Sequence, residues 1–147
     1  MTDILKASDR SRLMSKVRSR DTAPELVVRR LAHRLGFRFR LHRRSLPGCP
    51  DLVFPRYHAA VFVHGCFWHG HRGCRRSIRP TTNTAFWNEK LAGNAKRDHR
   101  NMKRLRGLGW RVLIVWECQT RDVDRLQRRL TAFLTLAPVS HGSQYGN

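Results

Sequence analysis

Residues 63–74 read VHGCFWHGHRGC, which puts three histidines, two cysteines and a Phe-Trp pair into twelve positions. No other stretch is so dense in groups that can hold a metal, move a proton or stack on a ring. Cys66, His71 and Cys74 follow a C-x4-H-x2-C spacing, and Cys118 comes after a strong apolar run further on. Three thiolates and an imidazole make a complete tetrahedral zinc set with no open position, which describes a structural site and not a catalytic one. The spacing departs from the C-x2-C knuckle, and Cys118 can also be read as a small buried residue at a strand end.

His64, His69, Phe67 and Trp68 are left for other work. If PRYH at 55–58 turns the chain, Asp51 at the start of one strand lies nearly opposite Val63 at the end of the next. A carboxylate beside a backbone carbonyl, with His64 and His69 just beyond, can hold one or two Mg²⁺ ions against a phosphodiester. Asp51 is the only acid in this stretch. An Asp after Pro is also a common turn former.

The elements that must position these groups are readable from pattern. Segment 11–19 is a short basic helix or arm with few apolar anchors. In 21–36, Thr22 can cap a helix, Pro24 fits its first turn and Gly36 ends it. Leu26, Val27, Arg30, Leu31 and Leu35 give roughly helical spacing. FRFRL at 37–41 alternates apolar and basic residues, which predicts a half-buried strand. DLVF and AAVFV flank PRYH as an antiparallel hairpin. A long helix follows the dense loop, with Trp87, Leu91, Ala95, Met102, Leu105 and Leu108 facing inward and Gly109 as its stop. WRVLIVWE at 110–117 is the strongest strand and is expected at the centre of the sheet. A last helix covers 121–137. The order α-β-β-β-α-β-α implies an α/β fold, a mixed sheet covered by helices on both faces.

The 147 residues suffice for one domain with a real core. Thirty Lys and Arg against ten Asp and Glu give a net charge of +20. Such an imbalance repels itself and attracts polyanions, nucleic acid first, because phosphate neutralisation rewards clustered cations. The basic residues are spread along the chain and no long apolar run exists, so no membrane partner is expected. The opening residues lack a secretory apolar core, which predicts a cytoplasmic protein whose four cysteines bind metal or stay as thiols.

The segments MSKVRSRDTAPE, SLPGCPDLVFPRYHAAVFVHGCFWHGHRGC, FWNEKLAGNAKRD and GWRVLIVWEC together resemble the very-short-patch-repair (T:G mismatch) DNA endonucleases, over about residues 9–118. The HGCFWH core with its trailing cysteines is the most specific part. The resemblance implies a restriction-endonuclease-like fold, with a central mixed sheet, flanking helices and a structural zinc. It implies a monomeric, Mg²⁺-dependent enzyme that nicks duplex DNA 5′ of the thymine in a T:G mismatch. Mismatch-repair proteins and a cytosine methyltransferase acting at the same site are the implied partners.

Carried over by position, Asp51 matches the metal-binding aspartate, with the Val63 carbonyl beside it. His69 matches the catalytic histidine, and Glu25 and His64 the pair that supports the hydrated metal. Cys66, His71, Cys74 and Cys118 match the zinc ligands. Phe67, Trp68 and Trp87 match the aromatics that wedge beside the mismatch. Met14, Lys90, Asn94 and Asp98 fall among the DNA contacts. Plainer readings stand beside these: Glu25 as a capping-box residue, Trp87 as core, His64 as a satisfied strand-end histidine. The chain departs from the family by one extra residue between His71 and Cys74, by Cys49 where a basic residue is expected, and by Val63 in place of a hydroxyl residue. The expected layout is a basic arm at 1–20, a catalytic domain at 21–137 and a flexible tail at 138–147. The rival readings are a nuclease of the same fold acting on matched DNA or another lesion, and a zinc-stabilised DNA-binding protein without catalysis.

Overall fold

The computed structural model describes residues 21–136. The basic arm with Met14, and the tail from 138, lie outside the described residues. Within them the chain runs α1 (Ala23–Arg34), β1 (Arg40–Leu41), β2 (Leu52–Phe54), β3 (Ala59–His64), α2 (Thr84–Gly107), β4 (Arg111–Trp116) and α3 (Val123–Thr135). This is the expected order. β1, β2 and β3 pair antiparallel, and β3 pairs parallel with β4, which makes the sheet mixed.

Both faces are covered. Leu52, Phe54, Ala59, Val61, Leu113 and Val115 face α1 and α3, which contribute Val28, Leu31, Ala32, Leu126, Leu130 and Leu134. On the opposite face Ala60 and Phe62, with Val112 and Ile114, meet Met102 and Leu105 of α2. The period-two alternation of the strands sorts these sets. The same alternation carries His64 and its parallel partner Trp116 onto the α2 face.

Three expectations need correction. β4 lies at an edge of the β1-β2-β3-β4 order, and β2 and β3 are the inner strands. Its apolar run reflects burial on two faces beneath helices, which an edge strand shares with a central one. The strand expected at 37–41 shrinks to two residues. β2 ends at Phe54, and Pro55 opens a 3-10 turn, so residues 37–39 have no ladder to join. Phe37 and Phe39 still pack inward, against Tyr57 and Phe54 respectively. Finally, Ala95 of α2 and Leu108, its C-cap, are exposed, whereas Trp87, Leu91, Met102 and Leu105 are buried. Between Leu91 and Met102 the inward positions hold Asn94, Asp98 and Asn101, and that polar break marks the site.

Candidate active site and metal centre

The break in α2 faces a cavity of about 490 Å³ whose lining includes His42, Cys49, Asp51, His64, His69 and Asp98. β2 and β3 bring Asp51 to its floor. The Asp51 Oδ2 accepts a 2.7 Å bond from the Val63 amide, which leaves Oδ1 towards the cavity side where His42 lies. Burial pushes the Asp51 carboxyl up to about 6, with Glu25 adding to the rise; the Val63 amide, His42 and His69 oppose it.

The loop between the strands arrives under constraint. Gly48 sits at φ +77°, and a Cβ there would lie 3.0 Å from the Asn101 Cβ and 3.1 Å from the Phe62 ring. Glycine therefore lets the loop cross between α2 and β3. His42, at φ +46°, donates its amide to the Asp51 carbonyl at 3.1 Å. Its Nε2 lies 2.6 Å from a Glu25 carboxylate oxygen and 3.9 Å from Asp51 Oδ1. Glu25 itself is buried, accepts from the Asp21 amide at 3.0 Å and pairs with Arg29. Its own amide donates to the Thr22 hydroxyl at 3.3 Å. So Glu25 lies in the first turn beside the cap and is also a link in the run of contacts from Arg29 through His42 towards Asp51.

His64 is 4% exposed and stacks on His69 with centroids 3.8 Å apart. Burial first, and the nearby His69 second, press its imidazole down to about 4, against Asp98, so it is neutral at pH 7. His69 Nδ1 lies 2.5 Å from Asp98 Oδ2. Glu25 and His64, expected to act as a pair, therefore make their close contacts separately, one with His42 and the other with His69. Asp98, expected among the DNA contacts, is turned to His69. Asn94 donates to the Trp68 carbonyl at 3.0 Å and pins the loop to α2. Lys90 is exposed on the same helix.

Trp87, expected in the wedge, is 5% exposed. Phe67 and Trp68 are half-buried on it, at 5.4 and 6.0 Å. The aromatic pair thus rests on a pedestal. Phe86, which the sequence pattern did not single out, is 56% exposed beside Trp87.

Beyond His69 the loop closes on itself. Cys66, His71, Cys74 and Cys118 place one ligand atom each within 4.8 Å of the others. That spacing suits tetrahedral zinc, whose bonds to sulfur are about 2.3 Å. Burial pushes the Cys66 thiol up to about 12, although the Cys118 amide opposes it. The Arg76 amide pulls Cys74 the other way. A cation at the centre would let such unlike thiols ionise together. His71 stacks on Trp116 at 4.1 Å, and Ser77 donates to the His71 and Cys74 carbonyls. Trp116 also meets His64 edge-on at 5.3 Å, so one ring touches both sites.

His42 and Trp116 escaped the sequence reading. The register Leu41↔Leu52 would have placed residue 42 beside residue 51, had β1 been paired with β2 in advance.

Residues 2–76 match the family described as DNA mismatch endonuclease Vsr. The chain belongs to the Vsr family. It is 45% identical over 126 residues to the DNA mismatch endonuclease Vsr of Escherichia coli, covering 86% of this chain and 80% of that one. A type II nicking enzyme of Xanthomonas oryzae pv. oryzae is 48% identical over 134 residues, covering 91% and 98%. In fold, the catalytic domain of the homing endonuclease I-Bth0305I superposes with a TM-score of 0.55 at 18% identity, over 82% of this chain and 100% of that domain. Vsr proteins are DNA endonucleases, so DNA is the partner and the phosphodiester the bond attacked. Among the described residues no helix is long and apolar enough to cross a membrane.

Proposed function

We propose that this Vsr-family chain nicks DNA on the 5′ side of the thymine in a T:G mismatch, with Mg²⁺, and so starts very-short-patch repair. The carrying observation is one cavity holding a half-buried carboxylate and a His-Asp pair, beside a ring cluster and on a strongly basic chain. Asp51 and the Val63 carbonyl would hold Mg²⁺. When bound, the ion supplies Lewis-acid charge neutralisation and a more acidic water. The donors suit a hard cation: the half-buried Asp51 carboxyl lacks a full counter-charge, and its Oδ1 is not taken by Val63.

His69 serves as the general base. With Asp98 holding Nδ1–H, the Nε2 lone pair is left to receive a proton from the attacking water. The Asp98 charge then steadies the imidazolium. Asp98→Asn is expected to lower kcat by roughly a hundredfold, within the range for general acid–base groups, with KM for duplex unchanged. A loss confined to KM would place Asp98 in DNA binding.

A mismatched pair stacks weakly, so inserting rings beside it costs less than in matched DNA. Trp68→Ala should weaken binding to T:G duplex by roughly 1–3 kcal/mol and barely change binding to matched duplex, whose affinity rests on cations. Equal losses on both would make Trp68 structural. The reading as a whole is tested by strand-resolved nicking of paired T:G and matched duplexes with Mg²⁺ or with chelator. Cleavage of matched DNA at the same rate would favour the restriction-type alternative, and binding without cleavage the non-catalytic one.

A further inference from the structure

The hairpin β2–β3 has two ends, and only one belongs to the catalytic cavity. At the other end a second cavity of about 420 Å³ is lined by Arg38, Phe39, Arg40, Pro55, Arg56 and Tyr57. β3 runs six residues from one end to the other, roughly 17 Å at the rise of a strand. A phosphate held at this cavity is therefore not the scissile one.

Three observations describe what it would take. First, all three arginines are exposed, and among the described residues no carboxylate pairs with them, whereas Arg29 and Arg76 have acidic partners. Second, the exposed Arg38 and Arg40 alternate with the half-buried Phe37 and Phe39. They stand on one side, about 7 Å apart at strand spacing, so each can fork onto a different phosphate of one strand. Third, the floor is rigid and aromatic. Tyr57 meets Phe37 edge-to-face at 5.6 Å, the Arg56 guanidinium lies 6.0 Å from the Tyr57 ring, and Arg111 holds the Tyr57 carbonyl at 3.0 Å.

We infer that this cleft is a second nucleic-acid site, which binds the phosphodiester backbone of a DNA segment other than the one being nicked. Guanidinium forks match phosphate oxygens in pairs, and a flat ring beneath them receives a sugar or base. The family's own partner carries these groups. An acidic protein segment would meet the same charges, but it has no use for the ring floor. The inference rests on DNA being the partner and is independent of T:G specificity.

The test measures binding of a short labelled duplex, with chelator present so that nothing is cut. Wild-type protein should bind a second duplex in a weaker, salt-sensitive phase. Arg38→Ala/Arg40→Ala/Arg56→Ala should weaken that phase at least tenfold and lower its salt slope by about 2 to 3. It should keep the first phase and kcat on T:G duplex. Lys103→Ala/Arg104→Ala/Arg106→Ala removes equal charge from exposed positions on α2 and should leave the second phase in place. A bromouracil-bearing strand should crosslink to Tyr57 or Phe39. Equal weakening by both triple variants, or a wild-type protein with no second phase, would overturn the site. Crosslinks elsewhere, or polyglutamate binding where oligonucleotide does not, would overturn it as well. Failure of T:G nicking would leave this measurement intact, so the two readings fail separately.

Discussion

Asp51→Asn is expected to lower the nicking rate by about a thousandfold or more, roughly 4 kcal/mol, and yet to make the metal-free protein more stable above pH 6. The asparagine oxygen can still accept from the Val63 amide, so the local geometry is kept and only the charge is lost. Duplex affinity should stay within a few-fold, because it is carried by cations and rings. The stability effect follows from the carboxyl's position. Burial raises it from 3.8 to about 6, so the folded state holds its proton further up the pH scale than the unfolded chain does. Below about pH 4 both states are protonated and nothing is lost. Between there and pH 6 the unfolded state ionises first, and the folded state loses roughly 3 kcal/mol at 1.36 kcal/mol per pKa unit. A divalent cation reverses that loss. Thermal melts with chelator above pH 6 should therefore rank Asp51→Asn above wild type, and Mg²⁺ should raise the wild-type Tm alone. Undiminished nicking by Asp51→Asn would sink the assignment.

What could be read in advance follows physical rules about range. The Cys66, His71 and Cys74 set was legible because its spacing is local. Cys118 was legible because it follows a strong strand at short distance, although it lies in the 3-10 turn Glu117–Arg121 and not in the strand. Asp51 beside Val63 was legible because a hairpin fixes register through its turn. His42 was not, since its place depends on a two-residue strand and a left-handed backbone that no pattern announces. The position of β4 was misread for a reason of the same kind. Apolar density reports how many faces are covered, and sheet order is settled by which strand comes to lie beside which. In α2 the stripe was extended through Ala95 by periodicity, whereas the helix spends its middle turns on Asn94 and Asp98. A polar gap in an otherwise regular stripe was the available signal. Trp87 was placed at the DNA surface by resemblance and lies beneath it, where the inward stripe had also put it.

Cys118→Ser is expected to lower stability by roughly 3–5 kcal/mol, a share of the ~10–16 kcal/mol that structural zinc contributes in small domains, and to cut nicking although it touches no phosphate. The stability loss follows from what the four ligands join. Cys66, His71 and Cys74 belong to one loop, and Cys118 lies just after β4, so the set fastens loop to sheet. Without the cation, Cys66 would remain a buried neutral thiol, and the loop would be held mainly by its own turns and Asn94. The activity loss travels through Trp116. That ring is stacked on His71 and touches His64 edge-on, and His64 is stacked on His69. Freeing His71 therefore loosens the wall against which the proposed base is aligned, and a base displaced by even an ångström transfers protons poorly. Metal analysis should find one zinc per chain in wild type and less in Cys118→Ser. Cys49→Ser, at a thiol outside the set, should leave zinc content unchanged. A strong chelator should reproduce the loss in Tm, and zinc, not Mg²⁺, should restore it. If wild-type protein contains no zinc and chelation leaves its melting curve unmoved, the four residues are core packing, and the loop owes its shape to its own turns, to Asn94 and to the Trp87 and Trp116 rings.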